Sequence, residues 1–323
     1  MKKTFILFFS VLMMTQNVLA EKLDIKSITS GDFREENMAS LMPMADGESY
    51  TQVSPDGTKI LKFSFKTGKQ TGVIFDLNSV RGPKIRIERI DGYIFSPDGK
   101  RILIQTDTRY IYRRSFTATY YIYEVENNRM GPLSVGGEQQ TPLFSPDGNM
   151  IAFVRDNNIF LIKLLYDNAE SQVTTDGKRN SIINGIPDWV YEEEFSTNRS
   201  MVFTADSKQI VWIKYDESKV KEFTFPWFKG ANPSRDEYLT YPGSYVYKYP
   251  KAGEDNSKVA VYSFDIKSRK TRKMEVPLDE DGYIPRITMT SDPTKVAVFT
   301  MNRHQDDMRI YMVNPLTTIA KLA

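Results

Sequence analysis

The residues with the clearest chemical potential are three consecutive glutamates, Glu192, Glu193 and Glu194. Neighbouring carboxylates repel each other, and a cation bound between them relieves that repulsion. The α-amino group of a peptide is such a cation, because its pKa of about 7.7 to 8 keeps it mostly protonated near neutral pH. Glutamates early in a surface helix also form a solvated face that suits the helix dipole, so the run alone leaves both interpretations open.

The residues of the common catalytic sites are absent from this sequence. There is no Gly-x-Ser-x-Gly segment to supply the nucleophile of an α/β-hydrolase. The single histidine, His304, lies in a polar segment that we interpret as a loop between two strands, and there is no cysteine. We therefore expect no catalytic residue, no metal site and no cofactor in these residues.

A repeated turn indicates the framework that must position the glutamates. Ser-Pro-Asp-Gly occurs at residues 54–57, 96–99 and 145–148, with degenerate copies at 204–207 and 290–293. Proline presets φ, aspartate bonds the local backbone and glycine accepts positive φ, so each copy predicts a hairpin turn. The spacing lengthens along the chain, and the last gap is wide enough to hide a diverged copy.

Short segments rich in β-branched and aromatic residues surround these turns. Those that follow a turn are 60–63, 102–104, 151–154, 210–212 and 296–299, and those between turns are 120–123, 159–162, 259–262 and 273–276. A four-stranded unit of about 40 to 50 residues repeated in tandem is typical of a propeller blade. We predict an all-β fold, an irregular β-propeller of four-stranded blades in an incomplete ring. A β-sandwich or a β-helix is the alternative.

Two stretches interrupt the repeat. Residues 180–187 are interpreted as a loop that leads into a short helix bearing the glutamates, with Asp188 as its N-cap. The proline- and tyrosine-rich stretch 225–253 is interpreted as a long excursion between strands.

The amino terminus has the pattern of a secretory signal. Lys2 and Lys3 precede an apolar stretch at 5–14 and small residues at 18–20. We predict a signal peptide at 1–20, a β-propeller portion at 21–323, and an exported protein that is periplasmic or extracellular; a membrane anchor is the weaker alternative. The net charge of +2 falls near zero once both lysines are removed, so we expect no nucleic-acid partner.

Three motifs resemble the dipeptidyl peptidase IV family of prolyl oligopeptidase-type serine peptidases. They are Asp-Trp-Val-Tyr-Glu-Glu-Glu at 188–194, Tyr-Arg-Arg-Ser-Phe-Thr-Ala-Thr-Tyr at 112–120 and Tyr-Pro-Lys-Ala-Gly at 249–253. The resemblance implies an eight-bladed propeller over an α/β-hydrolase domain, with the glutamate helix in the cavity between them. It also implies that the hydrolase domain is absent from this chain.

The resemblance assigns roles that the residue types alone leave open. Glu193 and Glu194 match the pair that binds the α-amino group of the substrate, and Glu192 matches a supporting residue. Arg113 matches the arginine that contacts the carbonyl of the penultimate residue, although adjacent arginines are by themselves most often a surface pair. The implied enzyme is a serine exopeptidase that releases X-Pro or X-Ala dipeptides.

The expected partners follow from that resemblance. They are peptides with a free amino terminus, the absent hydrolase domain and a second copy in a homodimer. The rival hypothesis is a stand-alone periplasmic propeller that binds a protein or peptide. In either case an unclosed ring exposes sheet edges, so we expect the chain alone to be marginally stable or self-associating.

Overall fold

The computed structural model describes residues 23–35, 37, 40–82, 87–228 and 241–323. The predicted signal peptide lies outside the described residues. The chain divides into two compact units, one up to Leu41 and one from Met42 to Ala323. The first contains helix α1 (Ile25–Ser30), which is capped by the Asp24 carboxylate. None of the helices within the described ranges has the length and apolar character to cross a membrane.

The second unit consists of antiparallel sheets whose strands follow one another along the chain. The first sheet contains β1 (Met42–Pro43), β2 (Ser49–Val53), β3 (Lys59–Ser64) and β4 (Gln70–Asp76). The second contains β5 (Gly92–Phe95), β6 (Arg101–Tyr110), β7 (Phe116–Glu124) and β8 (Arg129–Pro132). The third contains β9 (Gln140–Phe144), β10 (Met150–Arg155), β11 (Asn158–Lys163) and β12 (Ala169–Gln172).

The fourth sheet is larger and carries two insertions. Its strands are β13 (Ile182–Asn184), β14 (Met201–Phe203), β15 (Gln209–Asp216), β18 (Lys258–Asp265) and β19 (Lys270–Lys273). Helix α2 (Trp189–Glu194) lies between β13 and β14, and a two-stranded ribbon of β16 (Glu222–Trp227) and β17 (Gly243–Lys248) lies between β15 and β18. The fifth sheet contains β20 (Tyr283–Met289), β21 (Val296–Met301), β22 (Met308–Val313) and β23 (Ala320–Leu322).

The repeated tetrapeptides form hairpin turns, as the sequence predicts. In the third sheet the Ser145 hydroxyl donates to the Asp147 carboxylate at 2.5 Å and accepts from the Met150 backbone N–H at 2.9 Å. Gly148 ends this turn with a φ of 71°, which a residue without a Cβ adopts freely. The side chains therefore hold the two strands in register from within the turn.

The apolar side chains of consecutive sheets pack into shared clusters. Residues of the first and second sheets form one cluster, residues of the second and third form another, and a third cluster joins the third, fourth and fifth. Burial of apolar area drives such face-to-face contacts. The arrangement is that of an open β-propeller, so the predicted all-β fold is confirmed.

Two details of the predicted pattern are wrong, and the long gap is accounted for. Residues 182–184, interpreted as loop, form β13 because β15 offers them an unpaired edge. Strand β19 ends at Lys273, where the segment 273–276 was predicted to begin. The long gap before the fifth turn holds the ribbon and the rest of the fourth sheet, and no further blade occurs within its described residues.

A substitution at Trp212 tests the packing of the cluster that joins the third, fourth and fifth sheets. Its side chain is 1 % exposed, and its indole N–H donates to the Asn184 side chain at 3.0 Å. We expect Trp212→Ala to lower the free energy of unfolding by about 3 to 5 kcal/mol, because it leaves a cavity between the sheets. Urea unfolding followed by circular dichroism measures this. Val135→Ala, at a side chain that is 95 % exposed, is the control that should change little.

Candidate functional site

Helix α2 begins at a buried carboxylate. Asp188 accepts a hydrogen bond from the Tyr191 backbone N–H at 2.9 Å, as an N-cap does, and its other oxygen accepts from the Ser257 hydroxyl at 2.5 Å. Burial raises the pKa of Asp188. The predicted short helix and its cap are thus confirmed, and the cap also ties the helix to the segment that precedes β18.

Tyr191 holds the helix from its buried side. Its hydroxyl accepts a hydrogen bond from the Ile284 backbone N–H at 3.1 Å, so the helix is tied to the fifth sheet. Its ring packs edge-on against Tyr215 and Phe195, with centroids 4.8 and 5.1 Å away. Because this anchor fills the interior, the following glutamates project from a fixed base.

Of the three glutamates only the first, Glu192, is buried by this arrangement, at 1 % exposed. One of its carboxylate oxygens accepts hydrogen bonds from the backbone N–H groups of Arg114 and Ser115, at 2.6 and 2.7 Å. These two residues belong to the loop that joins β6 to β7, in the second sheet. Charge-assisted bonds of this kind are roughly twice as strong as neutral ones, so Glu192 clamps the loop to the helix.

The clamped loop brings Arg113 to the glutamates. The Arg113 Nε forms an ion pair with a Glu193 oxygen at 3.1 Å, with the arginine side chain 74 % exposed and the glutamate side chain 18 % exposed. Glu194 follows on the same helix and is exposed. The structure thus brings Arg113 and Glu193 into contact and places Glu194 beside them; their binding role stays a prediction.

The third motif of the resemblance packs against the same helix. The ring of Tyr249 lies 4.2 Å from that of Trp189, the first residue of α2. A cavity of about 370 Å³ is lined by Glu194, by Pro250, Lys251 and Ala252 of that motif, and by Arg303. Three segments that are far apart in sequence therefore meet around one helix.

Sequence patterns gave no signal for two residues that hold the site. Ser257 and Ile284 lie 69 and 93 residues from the helix groups that they contact. A lone serine and a backbone N–H carry no recognisable pattern, and only the ring of sheets brings them close. Within the described residues, His304 lies between β21 and β22, and no group of three acidic or histidine side chains is arranged to hold a metal ion.

Glu192 and Glu194 form a matched pair for testing the clamp. We expect Glu192→Ala to lower the free energy of unfolding by about 1.5 to 3 kcal/mol, because two buried N–H groups lose a charged acceptor. Glu194→Ala removes an exposed side chain of the same helix and should change it by at most about 0.5 kcal/mol. Urea unfolding of both variants measures the difference. Equal effects would contradict the clamp.

Comparison with known proteins covers most of the chain. The family model of the dipeptidyl peptidase IV (DPP IV) N-terminal region matches residues 96–323. A probable dipeptidyl-aminopeptidase B of Emericella nidulans is 35% identical over 237 residues, which are 70% of this chain and 26% of the relative. A second, from Colletotrichum graminicola, is also 35% identical over 237 residues and is covered to 25%. The chain spans about a quarter of the length of these curated relatives.

Known structures agree with the family match. The crystal structure of Porphyromonas gingivalis dipeptidyl peptidase 4 aligns with a TM-score of 0.87 and 41% identity, over 94% of this chain and 42% of that one. A putative dipeptidyl aminopeptidase IV from Bacteroides ovatus aligns with a TM-score of 0.60 over 88% of this chain and 36% of that one; its 18% identity shows the fold alone. The chain belongs to the dipeptidyl peptidase IV family and corresponds to its N-terminal propeller region.

Proposed function

We propose that this chain is the substrate-binding propeller of an exported serine exopeptidase that releases X-Pro or X-Ala dipeptides. Glu193 and Glu194 bind the α-ammonium group of the peptide, and Arg113 binds the carbonyl of its penultimate residue. Catalysis is assigned to an α/β-hydrolase domain outside these 323 residues. The signal-like amino terminus supports export to the periplasm or the cell exterior.

The observation that carries the proposal is the contact between Arg113 and Glu193 beside Glu194. An ammonium group donates three hydrogen bonds, and two adjacent carboxylates can accept them while the cation offsets their repulsion. Each such charge-assisted bond contributes about 1.5 to 3 kcal/mol. The site therefore has the charge and the acceptors that a free amino terminus requires.

Arg113 keeps donors for a second contact. A guanidinium has five N–H donors, and in the described part of the chain the Arg113 guanidinium is paired with Glu193, through Nε. With 74 % of its side chain exposed, the terminal nitrogens face solvent and can donate to a peptide carbonyl. The same ion pair fixes the arginine relative to the glutamate, so ammonium and carbonyl are bound at a set distance from each other.

That fixed distance explains selectivity for chain ends. A peptide held by its ammonium group presents the bond two residues later to a nucleophile at one position, as in any site that orients the reacting group. An internal bond lacks the ammonium, and an acetylated terminus carries no charge. Such a site releases dipeptides and rejects blocked peptides.

Binding by the chain itself gives the first test. We expect glycyl-prolinamide to bind, and N-acetylglycyl-prolinamide to bind at least about tenfold more weakly because it lacks the charged donor. Calorimetric titration measures both affinities. Equal affinities would contradict recognition of the ammonium group and would favour a propeller that binds peptides in another way.

Activity gives the second test, with the chain extended by the reading frame that follows Ala323. On a Gly-Pro chromogenic substrate we expect Glu193→Gln and Glu194→Gln each to lower kcat/KM by about 10- to 100-fold, the value of one charge-assisted hydrogen bond. Glu126→Gln, in the exposed turn between β7 and β8, is the matched control and should keep full activity. An extended chain that cleaves no Gly-Pro substrate would overturn the proposal.

A further inference from the structure

A second cavity lies beside the glutamate helix and is not used by the proposed peptide site. It has a volume of about 550 Å³. Its wall includes the loop between β6 and β7, the start of α2, the residue after β15 and the ribbon strand β17. The residues that matter for its chemistry are Tyr112, Ser115, Asp188, Trp189, Glu217, Tyr245, Tyr247 and Lys248.

Two buried polar groups on its wall lack hydrogen-bond partners. Glu217, directly after β15, is 7 % exposed, and its carboxylate makes no hydrogen bond within the described residues. Ser115 is 8 % exposed, and its hydroxyl is likewise unpartnered there. Buried polar groups are nearly always hydrogen-bonded, so a donor that enters this cavity would satisfy the Glu217 carboxylate.

The neighbouring charges do not supply that partner. Asp188 is already bonded to Ser257 and to the Tyr191 backbone. Lys248 donates to the Val220 carbonyl at 2.8 Å and lies 3.6 Å from Glu222. The pKa of Glu217 is raised to about 7, chiefly by burial and also by the nearby Asp188 and Asp216 carboxylates, while Lys248 opposes them.

The remaining charges of the cavity belong to two arginines. Arg109 is paired with Glu138, and Arg179 is exposed and donates to the Val246 carbonyl at 3.4 Å. Neither arginine is paired with Glu217 in the described part of the chain, so the Glu217 and Asp188 carboxylates form the acidic part of the cavity.

Aromatic rings line the same cavity as the Glu217 carboxylate. The ring of Tyr247 lies between those of Tyr112 and Trp189, with centroids 5.9 and 6.3 Å away. The Glu217 carboxylate contributes to the raised pKa of Tyr112, so the two side chains are neighbours. An aromatic wall beside a carboxylate attracts a cation through the ring quadrupoles as well as through the charge.

We propose that this cavity binds an alkylammonium group between the Glu217 carboxylate and the rings of Tyr112, Trp189 and Tyr247. The carboxylate accepts hydrogen bonds from the ammonium group, and the alkyl chain lies along the aromatic wall. The ligand is a small free amine or the lysine side chain of a peptide, which share this chemistry. The inference does not rest on the peptide site, because Glu193 and Glu194 do not line the cavity.

The test uses n-butylammonium as the probe and n-butanol as its neutral counterpart. Binding to the chain is followed by ligand-observed NMR titration at about pH 6 and about pH 8, where an alkylammonium with a pKa near 10.4 stays charged. Because the bound cation favours ionised Glu217, affinity should rise about tenfold between the two pH values, as the ionised fraction does. Butanol should bind weakly and without pH dependence.

Variants assign the effect to Glu217. Glu217→Gln keeps the size of the side chain and should remove the pH dependence and at least about tenfold of the affinity at the higher pH. Glu126→Gln alters an exposed acid in the turn between β7 and β8, which does not line the cavity, and should leave both intact. The inference is overturned if the wild-type chain binds butanol as well as butylammonium, or if Glu217→Gln keeps the pH-dependent affinity.

Two peptides separate the sources of the ammonium group. If the site takes a lysine side chain, lysyl-prolinamide should bind about tenfold more tightly than norleucyl-prolinamide, and Glu217→Gln should abolish the preference. Equal peptide affinities with retained butylammonium binding assign the site to a free amine. If the proposed peptide site is wrong but this cavity binds amines, Glu193→Gln leaves peptide affinity unchanged and butylammonium still binds. That result differs from each outcome that overturns the inference.

Discussion

Two buried carboxylates of one short segment, Asp188 and Glu192, connect the parts of this molecule that form its candidate site. A six-residue helix has little stability of its own in water, because nucleation costs more than so few hydrogen bonds return. Asp188 supplies its first backbone acceptor and a link to Ser257, and Glu192 fastens the loop of a distant sheet to it. Together with the Tyr191 anchor, these contacts fix the positions of the helix and of the Arg113 loop.

The sheets explain why that site lies where it does. In an antiparallel sheet, successive hairpins lie at alternate ends, so the tetrapeptide turn at 96–99 is at the opposite end of the second sheet from the loop that carries Arg113. Helix α2 separates β13 and β14, which pair with the same edge of β15. The regular turns therefore occupy one end of the fold, and the irregular insertions that bear the charged residues are free to meet elsewhere.

The acids around the helix differ in burial, in pKa and in hydrogen bonding. Asp188 and Glu217 are both buried, and burial raises the pKa of each, but only Asp188 has hydrogen-bond donors to compensate. Glu193 is half-buried and paired with Arg113, whereas Glu194 is exposed. Hydrogen bonding and solvent access, more than residue type, thus separate the structural acids from those open to a ligand.

The sequence alone determined the all-β repeat, the turn positions and the short helix with its Asp188 cap, because turn chemistry and strand patterning act over a few residues. The segments around Arg113 and Glu193 were indicated by the family resemblance. It could not show β13, the ribbon or the clamp of Glu192, which depend on strand edges and backbone groups far along the chain. Glu217 gave no signal at all, since an acid after a strand is ordinarily solvated. Only the tertiary structure, by enclosing it beneath aromatic rings without a hydrogen-bond donor, made that carboxylate chemically distinct.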